Sequence, residues 1–236
     1  MKSKHYIAIG ISLLVLVGCQ SASVPPGSGQ SQPPPVVPDS LKNDAYHWYG
    51  LANDKPMKIK MTSSAGKSFT GTQTFKLVSV ADGKAIFEID RDGDLGDTLG
   101  NETLSLEPDG VYTIKSTQIE GDIHNLELPA VLKPGTTFKN KGKDMKMRSK
   151  SGSTEDVGQD ENFKVVGPSK VTTEAGTQDA LLVTSTGSMS MGGTTYRIDA
   201  SIWYVKDKGI VKSVFDMKDV KDPKAPKQEI TIQETK

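Results

Sequence analysis

Thr74-Phe75-Lys76-Leu77-Val78-Ser79-Val80-Ala81-Asp82-Gly83-Lys84-Ala85-Ile86-Phe87-Glu88-Ile89-Asp90 is the stretch from which the fold is read. Two β-rich runs flank Ala81-Asp82-Gly83-Lys84, and the second alternates Ala85, Phe87, Ile89 against Ile86, Glu88, Asp90. Period-two alternation broken by Asp-Gly predicts a hairpin, because that pair supplies the positive φ angles of a tight turn. Outward from it the same grammar recurs. Met57 to Met61 alternates strictly. Thr103–Leu106 and Val111–Ser116 flank Glu107-Pro108-Asp109-Gly110. Ala180–Thr186 and Thr194–Val205 flank a Gly187–Gly193 connection, and Ile210–Met217 and Gln228–Gln233 follow. Past the leader, no run of twelve residues has helical periodicity. The expectation is an all-β domain over residues 44–236. It would be a single curved antiparallel sheet of about 10–12 strands, a half-barrel or open barrel.

Composition agrees with one thin-cored domain. Of 236 residues, 35% are hydrophobic and 23 are Gly. There are 29 basic and 29 acidic side chains. Without Lys2 and Lys4 of the leader, 27 basic face 29 acidic, which excludes the basic excess of a nucleic-acid binder.

Residues 1–18 begin with Lys2 and Lys4 and continue with an apolar run from Ile7 to Val17. That run is too short to span a bilayer and reads as a secretory signal. Leu16-Val17-Gly18-Cys19 ends it and resembles the bacterial lipobox, in which the Cys thiol takes diacylglycerol and becomes the first residue. Cys19 is the only cysteine, so no intrachain disulfide can form. The lipidation site is therefore Cys19, with palmitate-type chains each contributing about 0.8 kcal/mol per buried methylene. Gln20, where Asp would be the inner-membrane retention signal, fits transfer to the outer membrane of a diderm host. Residues 19–43 read as the lipidated Cys and a disordered spacer rich in Pro, Ser, Gly and Gln, with six of the 13 prolines between 20 and 39.

Ala45-Tyr46-His47-Trp48-Tyr49-Gly50, Leu128-Pro129-Ala130-Val131-Leu132-Lys133-Pro134-Gly135-Thr136-Thr137-Phe138, Val165-Val166-Gly167 and Trp203-Tyr204-Val205-Lys206-Asp207-Lys208-Gly209-Ile210-Val211-Lys212 share a pattern. Together they resemble poorly characterised bacterial envelope lipoproteins with a half-barrel like that of the lipoprotein carriers LolA and LolB. The resemblance implies a curved antiparallel sheet whose concave side holds acyl chains under a helical lid. Lid helices are not evident here. Independently of it, Gly135, Gly176 and Gly209 read as positive-φ turn positions. Trp48, Trp203 and Tyr204 read as core anchors or concavity lining.

Motifs that could carry chemistry are few. Ala65-Gly66-Lys67-Ser68 lacks the earlier Gly of a phosphate loop, since Met61 stands there. Ser64 and Lys67 have nucleophile-pair spacing without a helix to join them. In the acidic run from Asp90 to Asp97, Asp90, Asp92 and Asp94 match positions one, three and five of a calcium loop, but Leu95 replaces the required Gly and Asn101 the terminal Glu. Met145/Met147 and Met189/Met191 suit Cu(I) or a core equally. His47 and His124 are too few for a zinc site. Lys139, Lys141, Lys143, Lys146, Arg148 and Lys150 form a basic run suited to anionic headgroups or glycans, or to protection of a sheet edge.

The expectation is a non-enzymatic, membrane-anchored lipoprotein of the cell envelope without cofactor or metal. It would bind an apolar ligand or an envelope protein on its curved sheet. The alternative is a structural or interaction module with a filled core and no ligand.

Overall fold

The computed structural model describes residues 34–148, 154–222 and 224–236. Cys19, the leader and residues 19–33 of the spacer lie outside them. Thirteen antiparallel strands form one sheet: β1 (Met57–Ser63), β2 (Ser68–Ala81), β3 (Lys84–Arg91), β4 (Glu102–Glu107), β5 (Gly110–Ser116), the two-residue β6 (Ile119–Glu120), β7 (Asn125–Pro129), β8 (Thr137–Arg148), β9 (Thr154–Thr173), β10 (Gly176–Met191), β11 (Thr194–Val205), β12 (Gly209–Asp219) and β13 (Gln228–Glu234). The hairpin read from residues 74–90 is present. Asp82 (φ 52°) and Gly83 (φ 73°) make the turn between β2 and β3. The 187–193 connection is much shorter than expected. Gly187 to Met191 continue β10, and only Gly192 and Gly193, both at positive φ, turn the chain. Two short helices were not expected, α1 (Asp44–Trp48) and α2 (Gly93–Leu99).

The strand order is β6-β8-β9-β10-β11-β12-β13-β1-β2-β3-β4-β5-β7. Laid flat at ~4.8 Å per strand, β5 and β6 would lie more than ~50 Å apart. Yet only Thr117 and Gln118 join them, a reach of about 10 Å. The sheet must curl until its two edges are neighbours. It stays open, since no β7–β8 pairing joins the edges among the described residues.

The core follows from the curl. Phe87, Leu104, Leu106, Val111 and Leu128 of one half share a buried cluster with Phe138, Val165, Leu181, Val183, Ile202 and Tyr204 of the other. Away from the seam, where β7 meets β8, strands so far apart in the order share a cluster only through the interior. A second cluster packs Met57, Ile59 and Met61 with Leu95 of α2, Val171, Ala180 and Val211. Trp203 borders this second cluster and Trp48 the first, while Tyr204 is the fully buried aromatic of the three.

The packed body begins before Asp44. Val37 and Leu41, expected in the spacer, are buried in the first cluster with Ala45, Tyr49 and Leu51. Apolar side chains at 37 and 41, with a 3₁₀ turn at Asp39–Leu41, give this Pro-rich stretch enough surface to bury. Segment 37–51 is fastened at three places. Asn43, whose Oδ1 caps α1 by accepting from Tyr46 N (3.1 Å), donates from Nδ2 to Glu107 O (3.4 Å). Asp44 N donates to Ala130 O (3.2 Å), and Leu132 N donates to Asp44 Oδ2 (3.1 Å). Asp207 N donates to His47 O (2.7 Å).

The third fastening explains two glycines. Gly50 (φ 86°) and Gly209 (φ 96°) stack backbone on backbone, and a Cβ on Gly209 would sit 2.5 Å from Tyr49 O. Gly66 also has positive φ (79°) but open space around it. Gly66→Ala should therefore cost about 1 kcal/mol of conformational strain. Gly209→Ala adds the clash and should cost roughly 2 kcal/mol more in urea unfolding. Equal losses would show that the two backbones do not meet.

Candidate functional site

The interior is not apolar throughout. Inward positions of several strands carry a row of polar groups beside the first cluster: Gln73, Arg91, Glu102, Thr113, Glu127, Asn140, Glu161 and Ser185. Their placement follows from strand parity. Arg91 continues the inward set Ala85, Phe87, Ile89, and Glu102 continues Leu104 and Leu106. Glu161 shares the inward set of Phe163 and Val165. Glu127 is different. It falls between Leu126 and Leu128, so simple alternation would turn it away from Leu128's side. A bulge shifts the β5–β7 register there, pairing Val111 with Leu128 but Tyr112 with Leu126. The extra residue is Glu127, which turns inward beside Leu128.

Arg91 spends three of its five donors inside the domain. Its Nε donates to Gln73 Oε1 (2.9 Å), Nη1 to Gly100 O (2.8 Å) and Nη2 to Glu102 Oε2 (2.9 Å). One guanidinium thus ties β2, β3, β4 and the turn after α2. Glu161 is buried, with Ser185 Oγ donating to Oε1 (3.1 Å) and Gln159 Nε2 to Oε2. Asn140, its cross-strand partner, is buried with Oδ1 lacking a partner among the described residues. Glu127 accepts from Thr113 Oγ1 (2.8 Å). Burial, then the neighbouring Glu102 and Glu161 charges, push its carboxyl up to about 7, against the pull of Thr113 and Arg91. Burial and the Glu127 charge also raise the phenols of Tyr49 and Tyr204, whose rings lie 6.4 Å apart.

The segments singled out in the sequence are separated by the fold. Asp90 accepts from Asn101 Nδ2 (2.9 Å) at the end of β3. Asp92 precedes α2 and accepts from Thr72 N (2.5 Å) and Thr72 Oγ1 (2.8 Å), which hold its carboxyl below the usual range. Asp94 and Asp97 ride on α2. The acidic run is thus a strand end and a short helix, with Leu95 buried. Among the described residues, no three His, Cys, Asp or Glu side chains gather as for a metal ion. Met145 and Met191 lie on either side of Val157 in register, not against each other. His47 Nδ1 meets Asp207 Oδ1 at 2.5 Å, and His124 stacks on Tyr112. The basic run is partly neutralised across strands: Lys141 pairs with Asp160 (3.2 Å), and Lys146 lies opposite Asp156. Gly135, Gly176 and Gly209 all have positive φ, as read. The polar row itself was not read from sequence. Parity with Phe163 and Val165 could have shown Glu161, but nothing in Leu126-Glu127-Leu128 signals the bulge.

The chain belongs to the DUF3108-like family, whose pattern matches residues 96–221, from within α2 to just past β12. Its fold is similar to that of a candidate lipoprotein of Parabacteroides distasonis, at 13% identity and a TM-score of 0.53 over 80% of this chain and 98% of that one. It is similar too to a candidate exported protein with a YmcC-like fold from Bacteroides fragilis, at 13% identity and a TM-score of 0.52 over 80% and 99% of the two chains. At such identity the likeness is one of fold. No curated protein matches the chain.

A Glu held near 7 when folded and near 4.5 when unfolded keeps its proton longer in the native state. Its stabilising contribution is full below 4.5 and is lost as the pH rises through 7. Glu127→Gln removes that titration. It should leave stability nearly unchanged at pH 4 to 5 and raise it by roughly 1–3 kcal/mol at pH 8. A pH-independent difference in denaturant midpoints would contradict the enclosed carboxyl.

Proposed function

We propose that the protein is a lipid-anchored, non-enzymatic module of the bacterial cell envelope that works through its outer surface. Cys19 carries the lipid, residues 20–33 connect it to the domain, and the domain stands on the extracytoplasmic side. In a diderm host, Gln20 directs it to the outer membrane. The partner is another envelope component, most simply a protein, and no cofactor or nucleic acid takes part.

The observation that carries this reading is the filled interior. A carrier of acyl chains needs an apolar concavity free to receive them. Here side chains from both halves of the sheet meet across the inside, and segment 37–51 adds Val37, Leu41, Ala45, Tyr49 and Leu51 to the same cluster. An open surface groove of about 670 Å³ is lined by Asp54, Thr72, Lys76, Asp90, Arg91 and Asp92 as much as by Phe75 and Leu77. That lining suits polar contact better than lipid tails. The lipoprotein and exported-protein names of the two structural relatives agree with the envelope location.

Two measurements test the reading separately. Cells labelled with radioactive palmitate should label the native protein and not Cys19→Ser, and only the native form should enter the detergent phase. An unlabelled native protein would overturn the anchor. Native mass spectrometry of protein from its own host, without delipidation, should give the covalent lipid and nothing further. A stoichiometric additional lipid would overturn the filled interior and restore carriage.

A further inference from the structure

We propose that the face around the chain's entry into the domain, built from Val36, Val131 and Val166 and bordered by Lys133, Lys139 and Lys164, rests on an anionic phospholipid surface. This deepens the anchor reading and rests on it.

Among the described residues, five large apolar side chains are strongly exposed, and these valines are three of them: Val36 at 74%, Val131 at 54% and Val166 at 47%. The other two, Val78 and Val220, belong to β2 and to the turn after β12. Backbone bonds draw the three together. Val37 is buried in the same cluster as Leu132 of the 130–136 loop and Leu41, and Val36 beside it is exposed. That loop holds Val131, accepts from Asp44 N through Ala130, and donates to Val165 O from Gly135 (2.8 Å). Val165 N donates back to Thr136 O (2.8 Å). Val166 is the extra residue of a β9 bulge, since Leu182 pairs with Gly167 and Val183 with Val165. The bulge leaves it facing solvent rather than the core.

Charge completes the surface. Lys164 precedes Val166 by two on β9 and pairs in register with Thr137, two residues before Lys139 on β8. Lys133 lies in the loop. All three are exposed. Of the acids beside this loop, Asp39 is held by Lys42 at 2.7 Å, Asp44 accepts from Leu132 N (3.1 Å) and Asp109 from the Tyr112 hydroxyl (2.8 Å). Apolar side chains amid lysines suit the boundary between acyl chains and anionic headgroups. Position argues for the same occupant. Pro34 is the first described residue, and fourteen residues separate it from Cys19, at most ~50 Å of chain. The tether enters the domain beside this face, which lies within reach of the leaflet that holds the anchor.

The only native thiol is the lipidated one, so Val131→Cys adds a unique labelling site. Val166→Cys serves as a second site and Val78→Cys, on β2, as a control outside the face. The lipidated full chain carries an environment-sensitive fluorophore at each position and is reconstituted in phosphatidylcholine–phosphatidylglycerol vesicles. Labels at 131 and 166 should shift to the blue and be quenched by aqueous iodide about threefold less than at 78. In the combined variant K133E, K139E and K164E, with unchanged circular dichroism, or in pure phosphatidylcholine, protection should fall to the level at 78. Protein that floats with vesicles but is quenched equally at all three positions overturns this proposal and leaves the anchor standing. Protein that fails to float, with Cys19 open to the label, overturns both. Protection that appears without vesicles assigns the face to protein contact and overturns it as well.

Discussion

Two residues, Thr117 and Gln118, carry the chain from one end of a thirteen-strand sheet to the other. Almost everything else depends on that short crossing. A sheet whose edge strands are chain neighbours cannot lie flat, so it curls, and the curl creates an inside. Only then can Leu104 and Val111 share one buried cluster with Val165 and Val183, on strands that never pair. The hydrophobic gain of that contact, about 25 cal/mol per Å² removed from water, exists only because the topology brings the halves together. The right-handed twist of long strands such as β9 and β10 bends the sheet the same way.

Filling the inside leaves one end to be covered and one wall to be made polar. Segment 37–51 does the covering, pinned where Gly50 and Gly209 allow backbones to touch. The polar wall is an expensive feature for a core. Arg91 offsets much of its cost by spending three donors on three different elements. Glu127 has no such partner, and its environment favours the neutral acid. A bulge thus turns an ionisable group inward, and that group couples the stability of the domain to proton concentration.

The hairpins were legible because turn chemistry and alternation are local. Asp82-Gly83 needs positive φ at both positions, and Phe87 and Ile89 need one common side. Gly192-Gly193 carries the same information, but the run of Gly and Ser from 187 obscured where β10 ends. Strand β9 was not read whole, since Gly158, Gly167, Pro168 and several acids interrupt its pattern. Those interruptions make sense only against β8 and β10, which supply Lys141 opposite Asp160 and the bulge at Val166. Val37 and Leu41 were hidden by the prolines around them. The inward turn of Glu127 is set by register between strands, which no single strand records. The family pattern over residues 96–221 lies on β4 to β12, the strands that close the curl, and so speaks for the fold more than for a reaction.

A domain whose inside is occupied by its own side chains offers its outside for contact, and the proposed anchor would set where that outside is displayed. The most direct test of the account is therefore the contact across the interior. Methyl–methyl nuclear Overhauser effects should join Leu104, Val111 and Leu128 to Val165 and Val183, although these residues sit on strands that do not pair. Cross-peaks confined to adjacent strands, with none spanning the inside, would contradict the filled curl and every functional conclusion drawn from it.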